Sequence, residues 1–207
     1  MNRGPRFTAR FFKIAALTIV GGLGLLLLMP VTAFYFLQAN FISELEQSRR
    51  PDWVEYKSIP KMLATAVLVA EGEQSDYLDG SSRSTGFPNI GPNCSFACSV
   101  TRAVLTGQRM RAIEWHVRGL IGTLAVQIHY SHEKIFEEYV NRVYVGDGHY
   151  GLKDGATLYF KKSLEDLSME EAAGLAGLLK GPVYFSPTKH PERYKERQAW
   201  VLSRLRG

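Results

Sequence analysis

The sequence contains few cysteines, only Cys94 and Cys98 among its 207 residues. Two cysteines are too few for a disulfide framework or for a zinc site with four cysteine ligands. Small domains that are stabilised by several disulfides or by such a zinc site are therefore excluded. We predict two small buried thiols. A disulfide between them is the alternative in an oxidising compartment, although a spacing of four on one helical face suits this bond poorly. The 19 glycines and 9 prolines show no period, which excludes repeat and collagen-like architectures.

An excess of basic charge is also missing from most of the chain. The net charge is +5, but Arg3, Arg6, Arg10 and Lys13 supply four of these charges before the first apolar run. The rest of the chain has 21 basic side chains against 20 acidic ones. Such a balance does not indicate a nucleic-acid partner, whereas a basic N-terminus is typical of the cytoplasmic flank of a membrane helix.

One long segment lacks charge altogether. Residues Ile14 to Leu37 include no acidic or basic side chain, and a helix over them would be about 36 Å long at ~1.5 Å per residue. We therefore predict one transmembrane helix at 14–37, with residues 1–13 in the cytoplasm and the rest exported. The alternative is a signal peptide cleaved near Ala33, but signal peptides have shorter apolar cores of about 7–15 residues.

The exported part is predicted to consist of a connector at 38–60 and a domain at 61–207. No convincing strand pattern occurs in the domain, so we predict a mostly α fold. Ser131 and Ser168 are predicted helix N-caps, and Glu171 completes a capping box with Ser168. The predicted helices are Met62–Glu71, Phe96–Leu105, Ile113–Tyr130, Glu133–Tyr144, Gly155–Phe160, Met169–Lys180 and Pro191–Leu205.

Several spaced motifs occur in one order from His132 to the C-terminus. Residues 132–141 read HEKIFEEYVN, against the pattern K-x-x-I-L-E-x-Y-L-N, and VYVGDGHYG, YFKK and LSMEEAA follow. By these motifs the chain resembles the family 51 glycosyltransferases, and among them the monofunctional biosynthetic type. The resemblance implies a lysozyme-like helical fold and polymerisation of lipid II into peptidoglycan strands at the bacterial inner membrane, on its periplasmic side. It also implies Mg²⁺ or Mn²⁺ as the expected cofactor.

The first catalytic motif of this family is only partly present. Its pattern E-D-x-x-F-x-x-H-x-G falls on residues 71–80, where Glu71 and Gly80 are kept. The resemblance implies that Glu71 is the general base for the attacking sugar 4-hydroxyl, which is a poor nucleophile without a base within hydrogen-bond reach. The alternative is that Glu71 is a solvated acid at the end of a helix.

The second catalytic carboxylate of the family has no direct counterpart. In the pattern R-K-x-x-E, the position of the glutamate falls on Gly119 or Gly122, depending on the alignment. Glu114 is the only nearby acid, and we name it as the candidate. It serves only if the helix register shifts, because five residues turn a helix by roughly 140°.

Polar and basic residues of the remaining motifs are the candidates for substrate binding. The pattern G-S-T-I-T-x-Q-x-x-K falls on residues 93–102, where Ser95 and Arg102 keep polar character. Arg102 and Arg118 are predicted to bind the leaving pyrophosphate, which needs positive charge. Asn141 ends the HEKIFEEYVN motif, and its alternative role is to hold that helix in place.

Two functions are consistent with these motifs. The first is an active peptidoglycan glycosyltransferase, inverting at the anomeric carbon, with Glu71 as base. The second is a catalytically impaired relative that binds lipid II, glycan or other cell-wall synthesis proteins as a scaffold. The membrane is a partner in both functions. A second carboxylate facing Glu71 across the cleft would favour the first function, and its absence would favour the second.

Overall fold

The computed structural model describes residues 29–72, 77–78 and 96–206. These residues form a mostly α-helical fold, as predicted, together with one two-stranded antiparallel sheet. The elements in chain order are α1 (29–47), a 3-10 helix (Tyr56–Ser58), α2 (Lys61–Glu71), α3 (Phe96–Leu105), α4 (Ala112–His129), α5 (His132–Arg142), β1 (Tyr144–Gly146), β2 (His149–Tyr150), α6 (Leu152–Phe160), α7 (Met169–Leu178) and α8 (Pro191–Arg206).

Helix α1 contains the C-terminal end of the predicted transmembrane segment. Residues 29–37 are helical, whereas residues 1–28, and with them most of the predicted span, lie outside the described residues. In the part of the chain that the structure describes, no helix is both long and apolar enough to cross a membrane. Helix α1 continues without a break to residue 47, so it also includes the first ten residues of the predicted connector.

The core is built around α2, in which only Lys61, Thr65 and Glu71 are polar. Leu63, Val67 and Leu68 are buried, and α2 packs against both α7 and α8, as expected for a helix that is apolar over most of its surface. The helix ends at Gly72, whose positive φ of 80° directs its N–H to carbonyl oxygens of the last turn. As a result Glu71, the last residue of α2, emerges from the core.

Small residues of α7 allow α8 to approach closely. Gly174 lies against Tyr194, and a Cβ at this position would overlap the tyrosine hydroxyl. Gly177 lies against Arg197, where a Cβ would stand 3.0 Å from the arginine Cγ. The close approach places the first half of α8 beside the end of α2.

Two predicted helix caps are confirmed. The Ser168 hydroxyl accepts a hydrogen bond from the Glu171 N–H, and the Glu171 carboxylate accepts one from the Ser168 N–H, so α7 begins with a capping box. The Ser131 hydroxyl likewise accepts a hydrogen bond from the Lys134 N–H at the start of α5. These local patterns fix where both helices begin.

The prediction that the domain has no strands is wrong at one place, the short hairpin of β1 and β2. Strands of two and three residues are too short to show the alternation that identifies a strand. The turn residues Asp147 and Gly148 have φ angles of 48° and 82°. Both angles are positive, as a type I′ turn requires, and Asp-Gly is a typical sequence for such a turn.

The segment that follows α1 is held on α5 by buried charges. Glu138 is fully buried and accepts hydrogen bonds from Arg49 Nε at 2.8 Å and Arg142 Nε at 3.0 Å. The Trp53 ring lies beside both guanidinium groups, 5.6 Å and 5.1 Å from its centroid. The second half of the predicted connector therefore packs directly on the helical domain.

Cys98 is buried in α3 and is disulfide-bonded. The prediction of free thiols is wrong for this residue, and the alternative of a disulfide applies. Cys94, the only other cysteine of the sequence, lies outside the described residues.

Candidate active site

A cleft of about 1020 Å³ is lined by the ends of α2 and α7, by α3 and α5, and by the hairpin. Glu71 is the only acid among the described residues that line it. Its basic and aromatic lining residues are Arg50, Arg102, Arg142, Lys180, Trp53, Tyr139, Tyr144 and Tyr150. The cleft thus combines one carboxylate with a positively charged wall, an arrangement that attracts anionic ligands.

Glu71 is held in this cleft by a buried tyrosine. The Tyr139 hydroxyl donates a hydrogen bond of 2.8 Å to Glu71 Oε1, and the Tyr139 ring is only 5% exposed. Burial, with further contributions from the negative charge of Glu71 and from the hydrogen bond, holds the pKa of Tyr139 well above its usual value. Tyr139 is therefore a neutral donor at physiological pH, and it fixes the orientation of the carboxylate.

Arg197 of α8 supports the same end of α2 from the other side. Its Nη2 donates a hydrogen bond of 2.8 Å to the Ala70 carbonyl oxygen, and its guanidinium lies 4.2 Å from the centroid of the Trp200 ring. Burial lowers the pKa of Arg197, whereas the negative charge of Glu71 raises it, with a net lowering. Glu71 therefore has a cation nearby as well as a hydrogen-bond donor.

Among the described residues, four basic side chains line the cleft. Arg142 and Arg50 form ion pairs with the protein's own acids, Glu138 and Asp154. Arg102, as predicted from its motif, also lines the cleft, and so does Lys180. The Arg102 guanidinium also lies 6.0 Å from the centroid of the Trp115 ring, which links the cleft to α4.

Two predicted site residues do not lie with Glu71. Glu114 and Arg118 line a second groove, of about 490 Å³, between α1 and α4. Arg118 Nη2 donates to Glu44 at 2.7 Å, and its Nη1 donates to Gln108 at 2.8 Å. Arg118 therefore joins α4 to α1, and the structure does not bring Glu114 to the cleft as a second carboxylate.

The two glycines at the position of the family's second glutamate have different surroundings. At Gly122 a Cβ would stand 2.8 Å from the Phe41 ring and from the Thr101 methyl group, so this glycine is needed for close packing of α4. At Gly119 a Cβ would have no other atom within 4 Å. Neither glycine lines the cleft that contains Glu71.

Asn141 joins α5 to the segment after α1 while it lines the cleft. Its Oδ1 accepts from the Val54 N–H at 2.9 Å, and its Nδ2 donates to the Val54 carbonyl oxygen at 2.8 Å. Glu137, one turn earlier, accepts from Trp53 Nε1 and from the Tyr56 N–H. The described contacts of Asn141 are those of a residue that shapes the cleft wall.

Ser95, the remaining predicted site residue, lies outside the described residues. Several residues near Glu71 or in the cleft are not included in the sequence prediction, among them Ser99, Tyr139, Lys180 and Arg197. Tyr139 is part of the HEKIFEEYVN motif and Ser99 is part of the second motif, so the motifs themselves contained a signal for these two. Lys180 and Arg197 reach the site only through tertiary packing.

The described residues of the cleft do not fit the metal ion that the resemblance implies. Mg²⁺ prefers oxygen ligands, chiefly carboxylates. Among residues 29–72, 77–78 and 96–206, no group of three or more His, Cys, Asp and Glu residues is placed to hold a metal ion. Glu71 is also the single acid of the described lining, and the positive charge that the described lining contributes comes from arginine and lysine.

Comparison with known proteins places this fold in a family. The transglycosylase family model matches residues 99–206. A candidate transglycosylase of Cupriavidus necator is 30% identical over 97% of this chain and 90% of its own length. Penicillin-binding protein 1A of Neisseria gonorrhoeae is 30% identical over 86% of this chain, which spans only 23% of that longer protein. Penicillin-binding protein 1A of Aquifex aeolicus is 37% identical over 47% of this chain. The chain therefore belongs to the transglycosylase family.

Proposed function

We propose that this chain is a membrane-anchored peptidoglycan glycosyltransferase that polymerises lipid II into glycan strands, with Glu71 as the general base. The observation that carries the proposal is the position of Glu71 in the cleft. Its carboxylate is oriented by Tyr139 at 2.8 Å, and Arg102 and Lys180 line the same space. A general base and nearby cations are what the reaction needs, because a hydroxyl must lose a proton and a pyrophosphate must leave.

The proposed reaction joins two sugars in one displacement. Glu71 takes the proton of the acceptor 4-hydroxyl while the hydroxyl oxygen attacks the anomeric carbon of the donor. The bond from that carbon to the pyrophosphate oxygen breaks as the new bond forms, so the configuration inverts. The lipid pyrophosphate leaves with the negative charge, which Arg102 and Lys180 stabilise.

The proposed location is the bacterial inner membrane, with the N-terminus in the cytoplasm and the domain on the periplasmic side. The uncharged run from Ile14 to Leu37 and the basic residues before it support this orientation. The disulfide of Cys98 also supports an exported domain, because disulfides persist in oxidising compartments. An anchor keeps the domain beside a substrate whose lipid tail lies in the bilayer.

Polymerisation of lipid II by the purified full chain tests the proposal. We expect glycan polymer from the wild type and none from Glu71→Gln, which keeps the size of the side chain but cannot accept the proton. Glu192→Gln is the matched control, because Glu192 is exposed at the start of α8, and it should leave polymerisation unchanged. Equal polymer from Glu71→Gln and wild type would remove Glu71 from the mechanism.

A second function, a lipid II- or glycan-binding scaffold for cell-wall synthesis proteins, is favoured by one observation. Glu71 is the only acid among the described residues of the cleft lining, and Glu114 lies in the other groove. Saturable binding of lipid II without polymer from the wild type would establish this function instead. Loss of polymerisation in Glu114→Gln would show that a second carboxylate acts from α4 after all.

A further inference from the structure

Two departures from the family motifs lead to residues that contact each other in the fold. The pattern K-x-x-I-L-E has lysine where this chain has His132, and the pattern E-D-x-x-F has phenylalanine where this chain has Ser75. The nearest aromatic residue to Ser75 in the sequence is Tyr77. The rings of His132 and Tyr77 are stacked, with centroids 4.6 Å apart and an interplanar angle of 15°. The displaced aromatic residue therefore packs on a ring that the family pattern does not have.

A hydrogen bond fixes the same contact. His132 Nδ1 lies 2.8 Å from the Tyr77 carbonyl oxygen, and because a carbonyl oxygen only accepts, Nδ1 carries the proton and donates. His132 is half-buried in the first turn of α5, and Tyr77 is only 4% exposed. A lysine at position 132 could donate to the carbonyl oxygen but could not stack on the ring. The histidine therefore holds both the backbone and the side chain of Tyr77.

Buried rings continue this contact to Glu71. Phe96, the first residue of α3, packs against Tyr77 on one side and Tyr139 on the other, with ring centroids 5.1 Å and 4.6 Å apart. The Tyr139 hydroxyl donates its hydrogen bond to Glu71. Close-packed interiors transmit displacements from one side chain to the next. We call these rings the ring chain, which consists of His132, Tyr77, Phe96 and Tyr139.

We propose that His132 and Tyr77 are positioning residues that set the orientation of the Glu71 carboxylate through the other two rings of the ring chain. Neither His132 nor Tyr77 is among the described residues that line the cleft, so neither is placed to contact the substrate. The proposal rests on the proposed function, in which Glu71 is the general base. It adds that this chain replaces two residues of the family motifs with a stacked pair of its own.

Nuclear magnetic resonance of tyrosine tests the positioning without requiring activity. The full chain in detergent carries ¹³C at the ring Cζ of its 10 tyrosines, and the Tyr139 signal is identified by its loss in Tyr139→Phe. We expect His132→Ala to shift this signal, because the hydroxyl is no longer held against Glu71. The matched control is His129→Ala, an exposed histidine at the end of α4, which should leave the signal in place. An unmoved Tyr139 signal in His132→Ala would overturn the proposal.

Lipid II polymerisation tests the consequence for the reaction. We expect His132→Ala to lower kcat about fivefold to tenfold with little change in KM. His132→Phe keeps a stacking ring and loses only the hydrogen bond, so its kcat should fall by about threefold. If His132→Ala does not fold, as judged by circular dichroism, His132→Phe carries both measurements, and an unmoved Tyr139 signal with unchanged kcat in that variant overturns the proposal.

A double-mutant cycle separates positioning from ordinary core packing. In the Tyr139→Phe background, His132→Ala should lower kcat by less than about twofold, because the hydroxyl through which it acts is already absent. Losses of kcat that multiply fully in the double variant would overturn the proposal and identify His132 as a packing residue.

The two measurements also separate this proposal from the proposed function. A wild-type chain that makes no polymer, but whose Tyr139 signal moves in His132→Ala, would contradict polymerisation and support the positioning. An unmoved Tyr139 signal together with unchanged kcat in His132→Ala would overturn the positioning and leave Glu71 as the general base.

Discussion

The two walls of the cleft are held in place by different interactions. The α5 wall is joined to the segment after α1 by buried polar groups, in which Glu138 binds two arginines and Asn141 binds Val54. The other wall is α3, which lines the cleft, together with α4, which packs behind it, and we call it the α3–α4 wall. It is joined to α1 by apolar contacts, such as Phe41 against Gly122, and by a partly exposed ion pair between Arg118 and Glu44. The family motif is well matched in the first wall and poorly matched in the second.

This difference explains why membership of the family is clearer than activity. Buried polar groups depend on particular partners, because removing one leaves the other unpaired at high cost. Apolar packing depends mainly on volume and pattern, so a wall built from it forms with many sequences. The α5 wall therefore keeps recognisable residues, whereas the α3–α4 wall keeps its shape with glycine at each of the two positions, Gly119 and Gly122, on which the alignment can place the family's second acid.

The largest effect is expected from breaking the α5 wall at Glu138. Glu138→Ala leaves Arg49 and Arg142 without their buried acid, and we expect the free energy of unfolding to fall by about 3–5 kcal/mol. Chemical denaturation of the full chain in detergent, followed by circular dichroism, measures the change. Glu170→Ala is the control, because its pair with Arg206 is exposed and should contribute less than about 1 kcal/mol. Similar losses of unfolding free energy in Glu138→Ala and Glu170→Ala would contradict the view that buried charges hold the α5 wall.

A second prediction compares glycines in the α7–α8 packing and in α4. Gly174→Ala should lower the free energy of unfolding by about 1–3 kcal/mol, because the new Cβ overlaps the Tyr194 hydroxyl. Gly119→Ala should raise it by up to about 1 kcal/mol, since alanine is the better helix former and the site is open. Thermal unfolding measures both. If Tyr194→Phe changes the stability of Gly174→Ala by the same amount as it changes that of wild type, the overlap with the hydroxyl is not the cause.

A third prediction concerns the contact between the α5 wall and Glu71. Tyr139→Phe removes one hydrogen bond from the Glu71 carboxylate, and we expect kcat for lipid II polymerisation to fall about tenfold with little change in KM. Tyr144→Phe is a matched control on the same cleft, where the hydroxyl accepts from the Gly148 N–H instead. An equal fall in kcat in Tyr139→Phe and Tyr144→Phe would show that the Tyr139 hydroxyl has no special role in holding Glu71.

The smallest effect is expected in the pH dependence of stability. Burial raises the pKa of Glu137. Hydrogen bonds from Lys134, Trp53 and the Tyr56 N–H together lower it by a larger amount, so the pKa lies below its usual value of 4.5. A lowered folded-state pKa contributes stability that is complete above the unfolded pKa and is lost as the pH falls through the folded one. Between about pH 6 and about pH 3, wild type should therefore lose more unfolding free energy than Glu137→Gln. Equal losses of unfolding free energy in wild type and Glu137→Gln would contradict the lowered pKa of Glu137.

The helical scaffold could be predicted from the sequence because its signals are local. Two helix starts are marked within four residues of sequence, by the capping box of Ser168 and Glu171 and by the N-cap at Ser131. The burial of α2 follows from its mostly apolar composition. The hairpin contained a local signal too, in Asp147 and Gly148, although its strands are too short to be seen by alternation.

The candidate site could be predicted only in part because its contacts are distant in sequence. Glu71 and Arg102 line the cleft as the motifs imply. The contact of Arg197 with Ala70 spans 127 positions, and no periodicity or spacing reveals it. Arg118 was predicted to bind substrate but pairs with Glu44, 74 positions away, because helix α1 occupies the space beside it.

The unbroken course of α1 has a consequence for the cleft. The helix runs from residue 29 to residue 47, and two residues later Arg49 is bound to Glu138 of α5. Arg50, the next residue, lines the cleft. The direction of α1 is thus linked through Arg49 to α5 and to the cleft lining at Arg50, so a change in the tilt of this helix is expected to displace that part of the cleft wall.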